Sequence, residues 1–352
     1  METTKEFCCS DYALVDLHLH LDGSLTADDI VYMASLEGVT VPTTPEELRE
    51  RLVCPDHCES LNTYLKCFRL AGSVMQSRET IAYATESLVR RLDSQGIIYA
   101  EIRYAPQKHL RKGLTQDEVI RASLQGLERG MALSSNGIKA NIIVSCMRGE
   151  TNDSLNAETI RLAKRYLGHG VCATDLAGAE ALYPTSKYRE LFAQARSMGV
   201  PFTIHAGEAD GVESMQLAIE YGASRIGHGI RAYDDAATKK LLRQRDVCLE
   251  CCPTSNMQTK ALDGVDSLSM YPLRRFLDDG VAICINTDNM TVSDTTVADE
   301  LQKLHEAGIM NEEQARTMLH HAISHAFITD AEKAELKAKA CLQEKNGWCK
   351  NV

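Results

Sequence analysis

Two histidines one residue apart end the apolar run Val15-Asp16-Leu17-His18-Leu19-His20-Leu21-Asp22-Gly23. In an extended strand alternate side chains share a face, so His18 and His20 project together where the strand emerges, as two imidazoles offered to one metal ion. A metal needs more ligands than these. The chain supplies candidates of the same kind after later apolar runs: His205 with Glu208, then His228, then Asp288 with Asn289. Taken singly, each is an ordinary structural residue. Gathered on one rim, they suit a borderline cation such as zinc, which takes imidazole nitrogen and carboxylate oxygen and keeps a position open for water in a catalytic site. Ligand chemistry therefore expects His18, His20, His205 and Asp288 as the metal set. The segment Cys54-Pro55-Asp56-His57-Cys58 fits no usual zinc spacing and lacks a second half, so no structural zinc is expected there.

Residues so far apart need a scaffold that brings strand ends together. Eight short apolar runs provide one: the opening run, Ile97 to Tyr104, Ala140 to Cys146, Val171 to Leu176, Pro201 to His205, Arg225 to Gly229, Val247 to Cys251 and Val281 to Asn286. From the second onward they alternate with helical spacing, including a capping box at Thr115 and Glu118. Strands separated by helices imply parallel pairing with both faces covered, and eight such units suggest a closed (β/α)8 TIM barrel more than an open sheet. Residues 26–95 show no strand but four helical stretches, Ala27 to Glu37, Pro45 to Leu52, Ser60 to Met75 and Glu79 to Asp93. This is a helical insertion after the first strand, with Thr26 as an N-cap and Pro45 in a first turn. Residues 297–352 form a C-terminal helical extension, and no composition break marks a second domain, so residues 1–352 read as one catalytic domain. In a barrel the active site lies at the C-terminal ends of the strands, which is where these polar residues stand, Gly178 after the fourth strand among them.

Composition narrows the function classes. Hydrophobic residues at 44% and charged residues at 25% describe a globular chain with a sizeable core. A formal net charge of −11 argues against a phosphate-backbone binder, so small molecules and not nucleic acid are the expected partners. No apolar run reaches membrane-spanning length, and the opening Met1-Glu2-Thr3-Thr4-Lys5-Glu6 lacks a signal-peptide layout, so a cytoplasmic location without membrane contact is expected. The thirteen cysteines are odd in number, and Cys146, Cys172, Cys248 and Cys284 sit inside apolar runs, which favours reduced, buried thiols.

The motifs also follow one another in a familiar order. His18-Leu19-His20-Leu21-Asp22-Gly23, Asp175-Leu176-Ala177-Gly178, His205-Ala206-Gly207-Glu208, Ile226-Gly227-His228-Gly229, Cys252-Pro253-Thr254-Ser255-Asn256 and Asn286-Thr287-Asp288 together resemble the adenosine deaminase family of the amidohydrolase superfamily. The resemblance runs from residue 13 to about 290 and continues into the tail at His325-Ala326-Phe327-Ile328. It implies one zinc ion per chain on His18, His20, His205 and Asp288, with zinc-bound hydroxide attacking purine C6. It further implies Glu208 as the acid that protonates ring N1, His228 as base or electrostatic stabiliser, and Asp288 as the group that orients the nucleophile. His20, Asp22, Gly178 and Asn289 would be substrate contacts: Gly178 through its backbone N–H to N3, Asp22 to the ribose 5′-hydroxyl, and Asn289 near N7.

Two positions depart from that pattern. Asn289 stands where many members carry aspartate, so hydrogen bonding to N7 and the rate are open, and Ala179 also replaces an aspartate. The expected reaction is deamination of adenosine, and of 2′-deoxyadenosine, to the inosine product and ammonia. Adenine is the nearest rival substrate, and no basic cluster near the motifs suggests a 5′-phosphate. A non-catalytic nucleoside-binding protein and a metal-assisted hydrolase of another bond are the competing classes. The intact ligand set argues against the first, and the absence of a lysine ending a candidate strand argues against the second.

Overall fold

The computed structural model describes residues 13–55, 58 and 60–343, so Asp56 and His57 of the cysteine-flanked segment lie outside the described residues. All eight apolar runs are strands: β1 (Leu14–His20), β2 (Ile97–Tyr104), β3 (Lys139–Met147), β4 (Val171–Ala177), β5 (Thr203–Ala206), β6 (Arg225–His228), β7 (Cys248–Cys251) and β8 (Ile283–Ile285). They pair parallel and in sequence order within two halves, β1 to β4 and β5 to β8. Two seams close the ring. Thr174 N–H donates to Pro201 O at 3.0 Å, while His20 N–H donates to Asp288 O at 2.7 Å and Asp288 N–H to His18 O at 2.8 Å. The result is the (β/α)8 barrel expected from the alternation.

Between β1 and β2 stand α1 (Ala27–Glu37), α2 (Pro45–Leu52), α3 (Leu61–Tyr64), α4 (Phe68–Val74) and α5 (Arg78–Ser94). The crossover helices α6 (Gln116–Ala132), α7 (Asp153–Tyr166), α8 (Arg189–Ser197), α9 (Val212–Tyr221) and α10 (Ala236–Gln244) follow β2 to β6. After β7 come α11 (Pro253–Gln258) and α12 (Leu273–Asp278), and α13 (Val297–Glu306), α14 (Glu312–His325) and α15 (Asp330–Gln343) follow β8. The expected caps are present: Thr26 and Thr115 each accept from the backbone three residues on, and Pro45 occupies a first turn.

Two readings are corrected. The stretch Ser60 to Met75 is not one helix, because a 3₁₀ turn over Leu65–Cys67 separates α3 from α4. The tightening follows Tyr64, whose hydroxyl is pinned to Ser293 Oγ at 2.6 Å and to Asn289 Nδ2 at 2.9 Å. Among the described residues Cys146, Cys172, Cys248 and Cys284 are buried and in no disulfide, but Cys341 is disulfide-bonded.

One large apolar cluster lies between strands and surrounding helices, and a second packs Val15, Leu17, Tyr99, Cys248 and Cys284 against Ala322, Ile323 and Leu336 of the C-terminal helices. Inside the barrel the chemistry changes. Arg103, Arg225, Glu101 and Glu250 are all 0% exposed and linked to one another. Arg225 also donates to His325 O at 2.9 Å and lies 3.8 Å from the centre of the Phe327 ring, while Phe327 N–H donates to Glu101 Oε1 at 2.6 Å. Isolated buried charges are costly, so each is matched, and the tail at residues 325–327 caps the set.

Candidate active site

The strand ends deliver the expected residues to one place. His20, Asp22, Gly178, His205, Glu208, His228, Asp288 and Asn289 all line a single cavity of about 350 Å³, and His18 is fully buried behind it. Two of these residues have left-handed backbones, His228 and Asp288, each with φ of 60°. Such conformations cost roughly 1–3 kcal/mol in a non-glycine residue and persist where the surroundings enforce them, here at the turn out of β6 and just beyond β8. Gly178 has φ of 111°, which a side chain would resist, and it leaves its backbone open to the cavity.

Ligand atoms of His18, His20, His205 and Asp288 all lie within 4.8 Å of one another. Nε2 of His20 and of His205 are 3.2 Å apart, and Asp288 Oδ1 sits 3.3 Å from His20 Nε2 and 3.4 Å from His18 Nε2. His18 Nε2 is buried and has no hydrogen-bond partner. Burial holds the His20 imidazole well below its usual pKa, so it is neutral, with a lone pair to offer. An orphaned imidazole nitrogen, two more imidazole nitrogens and a carboxylate oxygen converging on one point fit a bound cation.

The partners behind the ligands were not legible as such in the sequence. His18 Nδ1 donates to Glu250 Oε2 at 2.7 Å, and the same carboxylate accepts from Arg103 at 2.9 Å and Arg225 at 2.6 Å. His205 Nδ1 donates to Asp175 Oδ1 at 3.0 Å, and Ser255 Oγ donates to Asp288 Oδ2 at 2.6 Å. Each bond fixes a ring or carboxylate so that its other atom faces the centre. Burial alone would raise Asp175 and Glu250, but the neighbouring cationic and imidazole groups hold both carboxyls below their usual range.

Glu208 behaves in the opposite way. It is 4% exposed, and burial, reinforced by the charge of Asp288, pushes its carboxyl up to about 8. A carboxylic acid kept protonated at neutral pH can donate. Its loop is held by Glu180, which accepts from the backbone N–H groups of Gly207, Glu208, Ala209 and Asp210 at 2.8 to 3.1 Å and from Ser214 Oγ. His228 Nε2 lies 3.5 Å from Glu208 Oε2. Tyr271 donates to Asn256 Oδ1, so Asn256 Nδ2 faces His228 Nδ1 at 3.1 Å and leaves the ring proton on Nε2, toward Glu208.

Asn289 donates through Nδ2 to Tyr64, while its buried Oδ1 has no partner. Gly23 makes room for it, since a Cβ there would come within 1.7 Å of Asn289 Oδ1. The cavity wall also carries Leu65, Phe68 and Arg69 from the insertion, and Lys108 and Arg111 from the segment after β2. Arg69 lies well before Lys108 and Arg111 in the chain, and all three lie away from the motifs, so no basic cluster stands beside the motifs in the sequence.

Comparison with known proteins agrees with this geometry. Residues 13–341 match the family model described as adenosine deaminase. An adenosine deaminase of Haemophilus ducreyi is 45% identical, with 94% of this chain and 96% of that protein covered. Among solved structures, an adenine deaminase of Arthrobacter aurescens superposes with a TM-score of 0.84 at 25% identity, covering 94% of this chain and 98% of that one. An amidohydrolase of Burkholderia ambifaria with bound zinc shares the fold, with a TM-score of 0.85 at 18% identity over 97% and 95% of the two chains.

Proposed function

The chain belongs to the adenosine deaminase family, and from that premise we propose how its residues divide the hydrolytic deamination of adenosine. The protein is an enzyme of that activity, with a metal cofactor and a small purine substrate. We take the metal to be one zinc ion per chain, held by His18, His20, His205 and Asp288, since three imidazoles and a carboxylate are a zinc-type donor set. When bound, zinc acidifies a water enough for it to act as a nucleophile near neutral pH.

The chain's own groups handle the protons. Protonated Glu208 donates to purine N1, which makes C6 electrophilic, and the proton count closes when ammonia leaves. His228, kept uncharged by burial, holds its Nε2–H toward Glu208 and acts as the electrostatic stabiliser of the charge that develops there. Gly178 presents its backbone N–H to N3, Asn289 faces N7, His20 borders the substrate, and Asp22 accepts from the ribose 5′-hydroxyl. We further assign the insertion and tail to one catalytic domain over residues 1–352. The buried, unbridged thiols of Cys146, Cys172, Cys248 and Cys284 support a cytoplasmic setting, with the disulfide at Cys341 standing against it, and the net charge of −11 supports a partner other than nucleic acid.

The observation that carries this reading is the raised Glu208 carboxyl beside four converging metal-ligand atoms. Glu208→Gln is expected to retain zinc and lose about 10²–10⁴-fold in kcat, measured as ammonia release alongside metal content. Normal turnover in that variant would remove Glu208 from its role. Adenine deamination is the second reading, favoured by the Arthrobacter aurescens structure. Parallel assays with adenosine, 2′-deoxyadenosine and adenine decide between them, because only the first two engage Asp22 through ribose.

A further inference from the structure

Glu180 is a buried acid to which the steps above give no part. It stands two residues beyond Gly178, in the segment that leaves β4, and is 1% exposed. Gly178, Ala179 and Glu208 line the cavity, and Glu180 is buried behind that wall. Both of its oxygens are turned to the loop after β5. Oε1 accepts from Gly207 N–H at 2.8 Å and from Ser214 Oγ at 2.6 Å, while Oε2 accepts from the N–H groups of Glu208, Ala209 and Asp210 at 3.0, 2.8 and 3.1 Å. Four successive backbone N–H groups converging on one anion form a concave nest. α9 starts just after them at Gly211, a residue with no side chain to cap it, so the same carboxylate meets the positive end of that helix.

The place where this happens is a seam. β4 and β5 belong to different half-sheets and are joined by an isolated bridge between Thr174 and Phe202, below the strand ends. Above that bridge side chains cross the gap, Asp175 to His205 and Glu180 to residues 207–210. A lone buried carboxylate would be costly, and Arg148 stands close enough for the two charges to act on each other. Arg148 donates to His205 O at 2.6 Å and to Thr185 Oγ1 at 3.0 Å, and Thr185 Oγ1 lies 2.7 Å from Ser214 Oγ.

We propose that Glu180 is a positioning residue that sets the distance between two donors to the purine ring, the Glu208 acid for N1 and the Gly178 N–H for N3. This rests on the deaminase reading above, which assigns those donors. N1 and N3 flank a single ring carbon, so a shift of one loop against the other leaves a bound purine able to meet only one donor. Misplacing a reacting group by about 1 Å costs on the order of 10²-fold in rate.

The test uses the full-length, zinc-loaded enzyme. Glu180→Gln keeps the length of the side chain but turns an amide NH₂ toward donors from which it cannot accept. Adenosine kcat is expected to fall about 10²-fold, with KM within about threefold and zinc content unchanged. Because Glu180 acts through Glu208, adding Glu180→Gln to Glu208→Gln should lower kcat by less than about threefold, whereas a merely structural part would multiply the two losses. 1-Deazaadenosine, which lacks N1, should inhibit the native and Glu180→Gln enzymes with Ki values within about twofold of each other. Should Glu180→Gln fail to fold or to hold zinc, Ser214→Ala decides, since it removes one of the five donors. Its kcat is expected to fall about three- to tenfold, and not further in the Glu208→Gln background. Native kcat in the deciding variant, or a loss that multiplies with that of Glu208→Gln, overturns the proposal, as does a Ki for 1-deazaadenosine that rises as far as kcat falls. A zinc-loaded native enzyme inert toward adenosine would instead defeat the deaminase reading itself.

Discussion

Glu208 and Glu250 are both buried glutamates, yet their surroundings push them in opposite directions. Glu208 has burial and the Asp288 charge acting together, so its acid form persists up to about pH 8. Activity that needs this acid is full below that value and falls as pH rises through it, about tenfold per unit in kcat/KM. A bound cation offsets the Asp288 charge and moves this limb toward lower pH. The pH–rate profile of the native enzyme checks the limb, and in the residual rate of Glu208→Gln it should be absent. Glu250 is stabilised as an anion by Arg103 and Arg225 and holds His18 by its other ring nitrogen. Glu250→Gln is expected to cut metal affinity by about 10–100-fold, measured by competition with a chelator. The two residues also differ in legibility. Glu208 follows a strand end within a motif, whereas Glu250 is a charge inside the apolar run Cys248-Leu249-Glu250-Cys251 whose partners lie 25, 147 and 232 positions away. A charge in a buried strand signals that a partner exists without naming it.

At the level of elements, the strands were legible because β-branched and apolar runs alternate with helical spacing, and the strand ends fixed the ligand set. What the sequence did not show is how the insertion is attached. Tyr64 at the end of α3 is 2% exposed and ties the insertion to the loop after β8 through Asn289 and Ser293. Those contacts cross more than two hundred residues, so no local pattern reports them, and the break between α3 and α4 went unread for the same reason. Tyr64→Phe removes the bond that orients the Asn289 amide. It is expected to raise KM for adenosine about tenfold, the worth of roughly one hydrogen bond, with a smaller effect on kcat. Substrate lacking N7, 7-deazaadenosine, should show little difference between Tyr64→Phe and native enzyme, which steady-state kinetics can establish.

For the molecule as a whole, the barrel interior is held by charge as much as by apolar packing. Arg225 joins Glu250, which positions His18, to Glu101, which anchors the backbone of Phe327. Arg225→Met leaves both glutamates short of a partner in a fully buried place. It is expected to destabilise the protein by about 3–5 kcal/mol in denaturant unfolding, far beyond the loss from a surface pair such as Arg189–Glu220. The barrel class was legible from the strand count, but this interior was not, since Arg225 reads in sequence only as a charge at a strand start. The seam between β1 and the Asp288 segment has a further consequence for how the protein is made. His18 and Asp288 are brought into one ligand set by backbone bonds between the first strand and residues that follow the last. On the ribosome the first two histidines emerge early and wait for almost the entire chain before their carboxylate partner arrives. Capture by the full ligand set thus waits until residue 288 has emerged, and a chain released short of it carries two histidines of the site without the means to close it.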